Sequence, residues 1–349
     1  MINRFHNKGN HPVFLFVLFL SLLSTAGCKP YRLVIDVTDT NEGLTETTVM
    51  KDAGASTFAD NKIAMIDITG VIADHRTGSL LSQGYNPLSE FLERLQRAEK
   101  DKAVKAVVLH INSPGGSVAA SETIYRELLR FRKKTGKPII VSMGEVAASG
   151  GYYVALASDE IIAQPSTITG SVGVLIQLVN ISKGLNKLGI EAKAVVSGPN
   201  KIMGSPLEKE SPEHRKLFQE IVNEFYDSFR SKVMKRRPGL KPELADMATD
   251  GRVFTGEQAV KIGLVDKTGF LRDAFTDAKK AAGLSKARLV KYHRPSRRTG
   301  TAYAADTRFN AGNTGGMEVN LLQIRFEEAF SNGSTAGFYY LWSPGLSAE

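Results

Sequence analysis

Cysteine is almost missing from this chain. Cys28 is the single one among 349 residues, so no intramolecular disulfide can staple the fold and no thiolate cluster can hold a metal. Stability must come from a buried core, and a chain of this length with 42% hydrophobic and 23% charged residues can build one. Histidine is scarce as well. His6 and His11 lie near the N-terminus, His75 follows a predicted strand, His110 sits inside an apolar one, His214 opens a helix and His293 borders the tail. None shares a small-residue loop with an acid, which leaves a Ser-His-Asp arrangement without support. Metal-ligand spacings are missing too, and Pro114-Gly115-Gly116 lacks the lysine of a phosphate loop. No metal or other cofactor is therefore expected. The formal net charge is +9, but the basic clusters Arg130-Phe131-Arg132-Lys133-Lys134, Lys235-Arg236-Arg237 and Arg294-Pro295-Ser296-Arg297-Arg298 carry no aromatic-interleaved pattern. Nucleic acid is not an expected partner; an anionic membrane surface or plain solvated helix faces account for them.

The N-terminus does carry a signal. Arg4 and Lys8 precede the apolar run Val13-Phe14-Leu15-Phe16-Val17-Leu18-Phe19-Leu20-Ser21-Leu22-Leu23, and Ser24-Thr25-Ala26-Gly27 lead to Cys28. A basic start, an apolar core of about 11 residues and a small-residue exit describe an export signal, whereas a spanning helix needs about 20. The cysteine directly after Ala26-Gly27 resembles the lipidated residue of a bacterial lipobox, with Thr25 where leucine is usual; an uncleaved signal anchor is the alternative. Either places the rest of the chain outside the cytoplasm, membrane-associated in the cell envelope. Lys29 after Cys28 supplies no inner-membrane retention aspartate. The expected organisation is an export signal over 1–27, a polar linker over 28–60, an enzymatic domain over 61–291 and a Gly/Ser/Arg-rich tail over 292–349.

Within the domain, strand and helix patterns alternate. Strands are predicted at 62–68, 106–111, 138–142, 160–163 and 192–196, and helices at 87–100, 117–134, 212–235 and 269–283, with Ser149 opening another. Repeated strand, loop and helix argues for an α/β domain with a mostly parallel sheet, whose ligands collect at the carboxyl ends of the strands. Two glycine-rich loops lie at such ends: Asn112-Ser113-Pro114-Gly115-Gly116-Ser117 and Ala147-Ala148-Ser149-Gly150-Gly151-Tyr152-Tyr153.

A serine among alanines and glycines can be presented on a sharp turn to a substrate carbonyl, although the same glycines can simply serve packing. Such a serine needs a base. With histidine unsupported, a lysine is the alternative, and it works only where burial without a carboxylate partner keeps its amine neutral. Lys201, in Val196-Ser197-Gly198-Pro199-Asn200-Lys201-Ile202-Met203-Gly204-Ser205, has no acid nearby until Glu208. An ordinary solvated loop lysine is the other reading of it.

These segments, together with Thr169-Gly170-Ser171-Val172-Gly173-Val174, Asp250-Gly251-Arg252-Val253-Phe254-Thr255-Gly256 and Ile262-Gly263-Leu264-Val265-Asp266, stand in an order that resembles the signal peptide peptidase A family of Ser-Lys peptidases, in its short single-repeat form. The resemblance covers about residues 62–285. It implies a crotonase/Clp-protease-like β-α superhelix with a mostly parallel sheet and flanking helices, and a membrane-tethered serine endopeptidase that degrades cleaved signal peptides and other unstructured apolar peptides. By motif it implies Ser149 as nucleophile, Lys201 as general base, Ser171 orienting the lysine, and the Gly116 and Gly150 N–H groups as oxyanion hole. It further implies a ring-shaped homo-oligomer, of eight subunits in the known architecture, whose grooves accept extended peptides by strand pairing. The tail has no counterpart in these motifs. Its apolar end, Phe338 to Trp342, either pairs into a groove as self-substrate or plug, or stays in solvent. Two other readings use the same residues: a crotonase-type acyl-CoA enzyme, for which Glu145 is the nearby acid, and a lipoprotein scaffold that has lost catalysis.

Overall fold

The structure, a computed structural model, describes residues 43–54, 61–75, 86–209, 211–295, 301–303 and 337–342. The segment expected to be an export signal, and Cys28, lie outside the described residues. No helix among the described residues is long and apolar enough to cross a membrane.

The elements run β1 (Thr45–Lys51), β2 (Lys62–Thr69), α1 (Pro87–Lys100), β3 (Val104–Ser113), β4 (Gly115–Ser117), α2 (Val118–Thr135), β5 (Ile139–Ala148), α3 (Gly150–Ala155), β6 (Glu160–Ala163), β7 (Ile168–Gly170) and β8 (Leu175–Ile176). After them come α4 (Ser182–Lys187), a 3-10 turn at Pro199–Ile202, α5 (Pro212–Arg236), a 3-10 turn at Pro242–Leu244, α6 (Ala245–Ala248) and β9 (Val253–Thr255). The last are α7 (Gly256–Ile262), β10 (Lys267–Thr268), α8 (Leu271–Ala281), β11 (Arg288–His293) and β12 (Phe338–Leu341).

The main sheet has the order β1-β11-β2-β3-β5-β6-β10, all neighbours parallel except β1 against β11. Its central strands alternate strictly between two cores. Ala64, Ile66, Val107, Leu109 and Val141 face α1, α2, α3 and α5, while Ile63, Met65, Ala106, Val108 and Ile140 face α8. Residues buried on both faces explain why these strands read as continuous apolar runs. Each helix supplies its own stripe: Leu88, Phe91 and Leu95 from α1, Ile124, Leu128 and Phe131 from α2, Leu271, Phe275 and Ala278 from α8. Starts follow capping chemistry, with Asn86 accepting from Ser89 N at 3.0 Å and Ser117 from Ala120 N at 3.3 Å. The result is a mixed α/β fold with a mostly parallel sheet and helices on both faces.

Two segments depart from the sequence reading. The polar stretch read as linker contains β1, whose partner β11 lies some 240 residues later and whose register runs from Thr45 with His293 to Lys51 with Arg288. Conversely, no strand forms at 192–196, where Val195 and Val196 are exposed. Apolar alternation there has no layer to bury against.

Candidate active site

Both glycine-rich loops sit at the carboxyl ends of neighbouring parallel strands, β3 and β5. Ser149 is the cap residue of α3 and holds φ 51° and ψ −113°, a conformation that side chains other than glycine rarely adopt. Two main-chain bonds enforce it: Ser149 N donates to Gly170 O at 2.8 Å, and Ser149 O accepts from Tyr153 N at 2.8 Å. The residue is 1% exposed, and its hydroxyl has no hydrogen-bond partner among the described residues. A strained strand-to-helix elbow of this kind can present a hydroxyl to a bound carbonyl.

The glycines beside it are required by close approach. A Cβ on Gly150 would stand 2.6 Å from Ser121 Oγ and 3.1 Å from Gly116 N, and one on Gly151 would stand 2.9 Å from Ser113 O. A Cβ on Gly116 would collide with the carbonyl of Ile72. The loop carrying Gly116 is clamped to that residue by Ile72 N to Gly115 O and Ser117 N to Ile72 O, both 2.8 Å. The structure thus brings Ser149, Gly150 and Gly116 together. Ser171 follows the Gly170 carbonyl that receives Ser149 N, shares the rare conformation with φ 50°, and is 7% exposed.

Lys201 is not brought to them. It is exposed on the 3-10 turn at Pro199–Ile202, and no hydrogen bond joins it to Ser149 or Ser171 among the described residues. The expected desolvation is not met within one chain. The surrounding arm is exposed as well, including Leu188, Ile190, Val195 and Val196. Glu145, the acid required by an acyl-CoA reading, is exposed. No group of metal-ligating side chains occurs among the described residues.

The tail, by contrast, enters the site. β12 lies antiparallel between β4 and β8, pairing Tyr340 with Gly116, Leu341 with Gly115 and Phe338 with Ile176, and Trp342 N donates to Pro114 O at 2.9 Å. A Cβ on Gly115 would collide with the Tyr340 carbonyl oxygen and stand 2.6 Å from Gly150 N, so both atoms lie close to Gly115. Tyr340 fills an aromatic pocket: its ring stacks on Tyr153 at 5.0 Å, meets Phe229 at 4.8 Å, and its hydroxyl donates to Phe225 O at 3.3 Å. Phe338 rests on Phe225 and Phe218. Burial pushes the Tyr153 and Tyr340 hydroxyls far above their ordinary range, so both rings remain neutral. The sequence signals the apolar end of the tail but not this pocket, whose walls come from α3 and α5, some 75 residues apart.

Profile comparisons match the chain to peptidase family S49 over residues 131–285 and to Clp protease over residues 61–182. A protein of Enterococcus faecium named as a signal peptide peptidase SppA is 40% identical over 249 residues, covering 71% of this chain and 70% of its own. A Methanocaldococcus jannaschii protein named as a protease is 32% identical over 282 residues, 80% of this chain and 85% of that one. Protease 4 of Haemophilus influenzae is 38% identical over 221 residues, 62% of this chain but 34% of its own.

Proposed function

The chain belongs to peptidase family S49 and is a serine peptidase with a Clp-protease-like fold, and from that premise we propose that Ser149 is its nucleophile, acting on extended apolar peptides. The observation that carries this is the peptide already present: a strand of the chain lies on Gly115–Ser117, next to the serine elbow, with the Tyr340 carbonyl oxygen and Gly150 N both close to Gly115. Strand addition supplies sequence-tolerant main-chain bonds, and pockets for alternate side chains supply selection.

In the proposed reaction the Ser149 oxygen attacks the peptide carbonyl, its proton passes to Lys201, and the N–H groups of Gly116 and Gly150 stabilise the oxyanion. The amine then protonates the departing peptide nitrogen, and water hydrolyses the acyl-enzyme by the reverse transfer. Ser171, held beside Gly170, orients the lysine. Since Lys201 is exposed on an apolar arm within one chain, the base is supplied on assembly, when a ring neighbour covers that arm and removes water from it. The substrates are cleaved signal peptides and similar membrane-released segments, as the name of the Enterococcus relative suggests. Lipidation of Cys28, or a retained signal anchor, would tether the domain at residues 61–291 to the membrane.

Hydrolysis of an apolar fluorogenic peptide tests this. Ser149→Ala and Lys201→Ala should each abolish turnover, and Lys201→Ala should leave the melting temperature of the single chain nearly unchanged because its side chain is exposed there. Mixing the two inactive variants should restore activity if the dyad forms between subunits. Turnover surviving Ser149→Ala overturns the assignment.

A further inference from the structure

Strand β5 reaches the nucleophile through an irregularity. It pairs with β3 in register from Val107 with Ile139 to Ile111 with Met143, and the ladder resumes only at Ser113 with Ala147. Asn112 alone stands opposite Gly144, Glu145 and Val146. On the other edge, β5 pairs with β6 up to Met143 and with β7 from Val146 onward. The strand therefore changes partners at this bulge, three residues before Ser149.

A bulge leaves main-chain groups without ladder partners, and side chains have taken their place here. Val146 N donates to Asn112 Oδ1 at 3.1 Å, and Gly144 O accepts from Thr167 Oγ1 at 2.6 Å. Room for the carboxamide depends on Gly144, where a Cβ would stand 3.2 Å from Asn112 Cβ and 3.3 Å from its Cγ. The same residue reaches the oxyanion loop: Asn112 O accepts from Gly70 N at 3.0 Å, and the adjoining Ser113 Oγ donates to Gly70 O at 2.6 Å while accepting from Gly115 N at 3.1 Å. The Asn112 side chain thus holds the segment ending in Ser149, while its carbonyl holds Gly70, to which the adjoining Ser113 hydroxyl ties the loop bearing Gly116.

We propose that Asn112 is a positioning residue for the peptidase reaction, its carboxamide holding the β5 bulge in the shape that sets Ser149 against Gly116. The proposal rests on the reading of Ser149 as nucleophile. Asn112 touches neither substrate nor the reacting atoms; it acts through the Val146 amide. A carboxylate offers an acceptor at the same place, so Asn112→Asp keeps the bond, whereas Asn112→Ala leaves a bulge amide unpaired and the segment free to shift.

The assembled enzyme is assayed with the fluorogenic peptide and with a fluorophosphonate that labels the nucleophilic serine. Because small displacements of reacting groups are costly, Asn112→Ala should lower kcat by about 10- to 100-fold with KM nearly constant and slow labelling in parallel. Asn112→Asp should recover most of both rates. Gly144→Ala, which displaces the carboxamide without deleting it, should resemble Asn112→Ala and carries the test if that variant does not fold. Unchanged kcat and labelling in Asn112→Ala or Gly144→Ala overturns the proposal, as does Asn112→Asp as slow as Asn112→Ala. Persistent activity in Ser149→Ala would instead overturn the nucleophile assignment, so the two failures are distinguishable.

Discussion

Tyr340 of the C-terminal tail stacks on Tyr153, four residues beyond Ser149, with ring centroids 5.0 Å apart and planes 23° from parallel. The groove that would receive a substrate is therefore filled by the chain's own strand, and Tyr340 is 1% exposed there. Any peptide must displace it. Pairs of this kind contribute roughly 0.5–1.5 kcal/mol each beyond buried area, and Tyr340 makes two. Truncation before residue 337 should accordingly raise kcat/KM for a short peptide by roughly tenfold, chiefly through KM. Equal steady-state constants for the truncated and full-length enzymes would refute a competing tail.

The elbow at Ser149 has a measurable cost. A side chain at φ 51° and ψ −113° carries on the order of 1–3 kcal/mol of backbone strain that glycine does not. Ser149→Gly should thus be inactive yet more stable than wild type by about that amount in urea denaturation. Ser149→Ala should be inactive without the gain. Equal stabilities of the glycine and alanine variants would show that the conformation is unstrained.

Gly116 makes the opposite prediction, since nothing but hydrogen fits between it and the Ile72 carbonyl. Gly116→Ala must break the two 2.8 Å bonds that clamp the loop to Ile72. Overpacking of this sort costs about 1–3 kcal/mol, and the displaced N–H should cost about 100-fold or more in kcat. A variant with normal kcat and a lowered melting temperature would remove Gly116 N from the oxyanion hole while leaving its packing role.

What the sequence disclosed follows from range. The Ser149 and Gly116 loops were legible because their constraints are local: small residues next to a serine, at the ends of strands whose apolar runs are buried on both faces. The parallel α/β class followed from the same periodicity. Strand β1 was not legible, because the polar Thr45-Glu46-Thr47-Thr48 becomes a strand only against β11. The segment 192–196 failed for the converse reason, a strand-like pattern with no facing layer. Lys201 shows where local reading ends. Its acid-poor neighbourhood was visible, but desolvation depends on what covers the arm, and within one chain the arm is exposed. The aromatic pocket joins α2, α3, α5 and the tail, a conjunction that no spacing rule encodes.

A pH dependence follows from His110, which lies opposite Asp67 in the β2–β3 register with Nδ1 3.1 Å from Ser142 O. Burial holds its pKa below the ordinary 6.5; Asp67 opposes this, and Lys291, paired with Asp67 at 2.7 Å, reinforces it. The unfolded chain then binds a proton that the folded chain resists, so stability must fall as pH drops from about 6.5 toward the lower folded value. The slope from this one group is at most about 1.4 kcal/mol per pH unit. His110→Asn, whose amide nitrogen stands near the place of Nδ1 and can still donate to Ser142 O, should flatten the fall between pH 7 and pH 5 in denaturation midpoints while changing little at pH 8. An undiminished slope in that variant would assign the acid sensitivity to other groups.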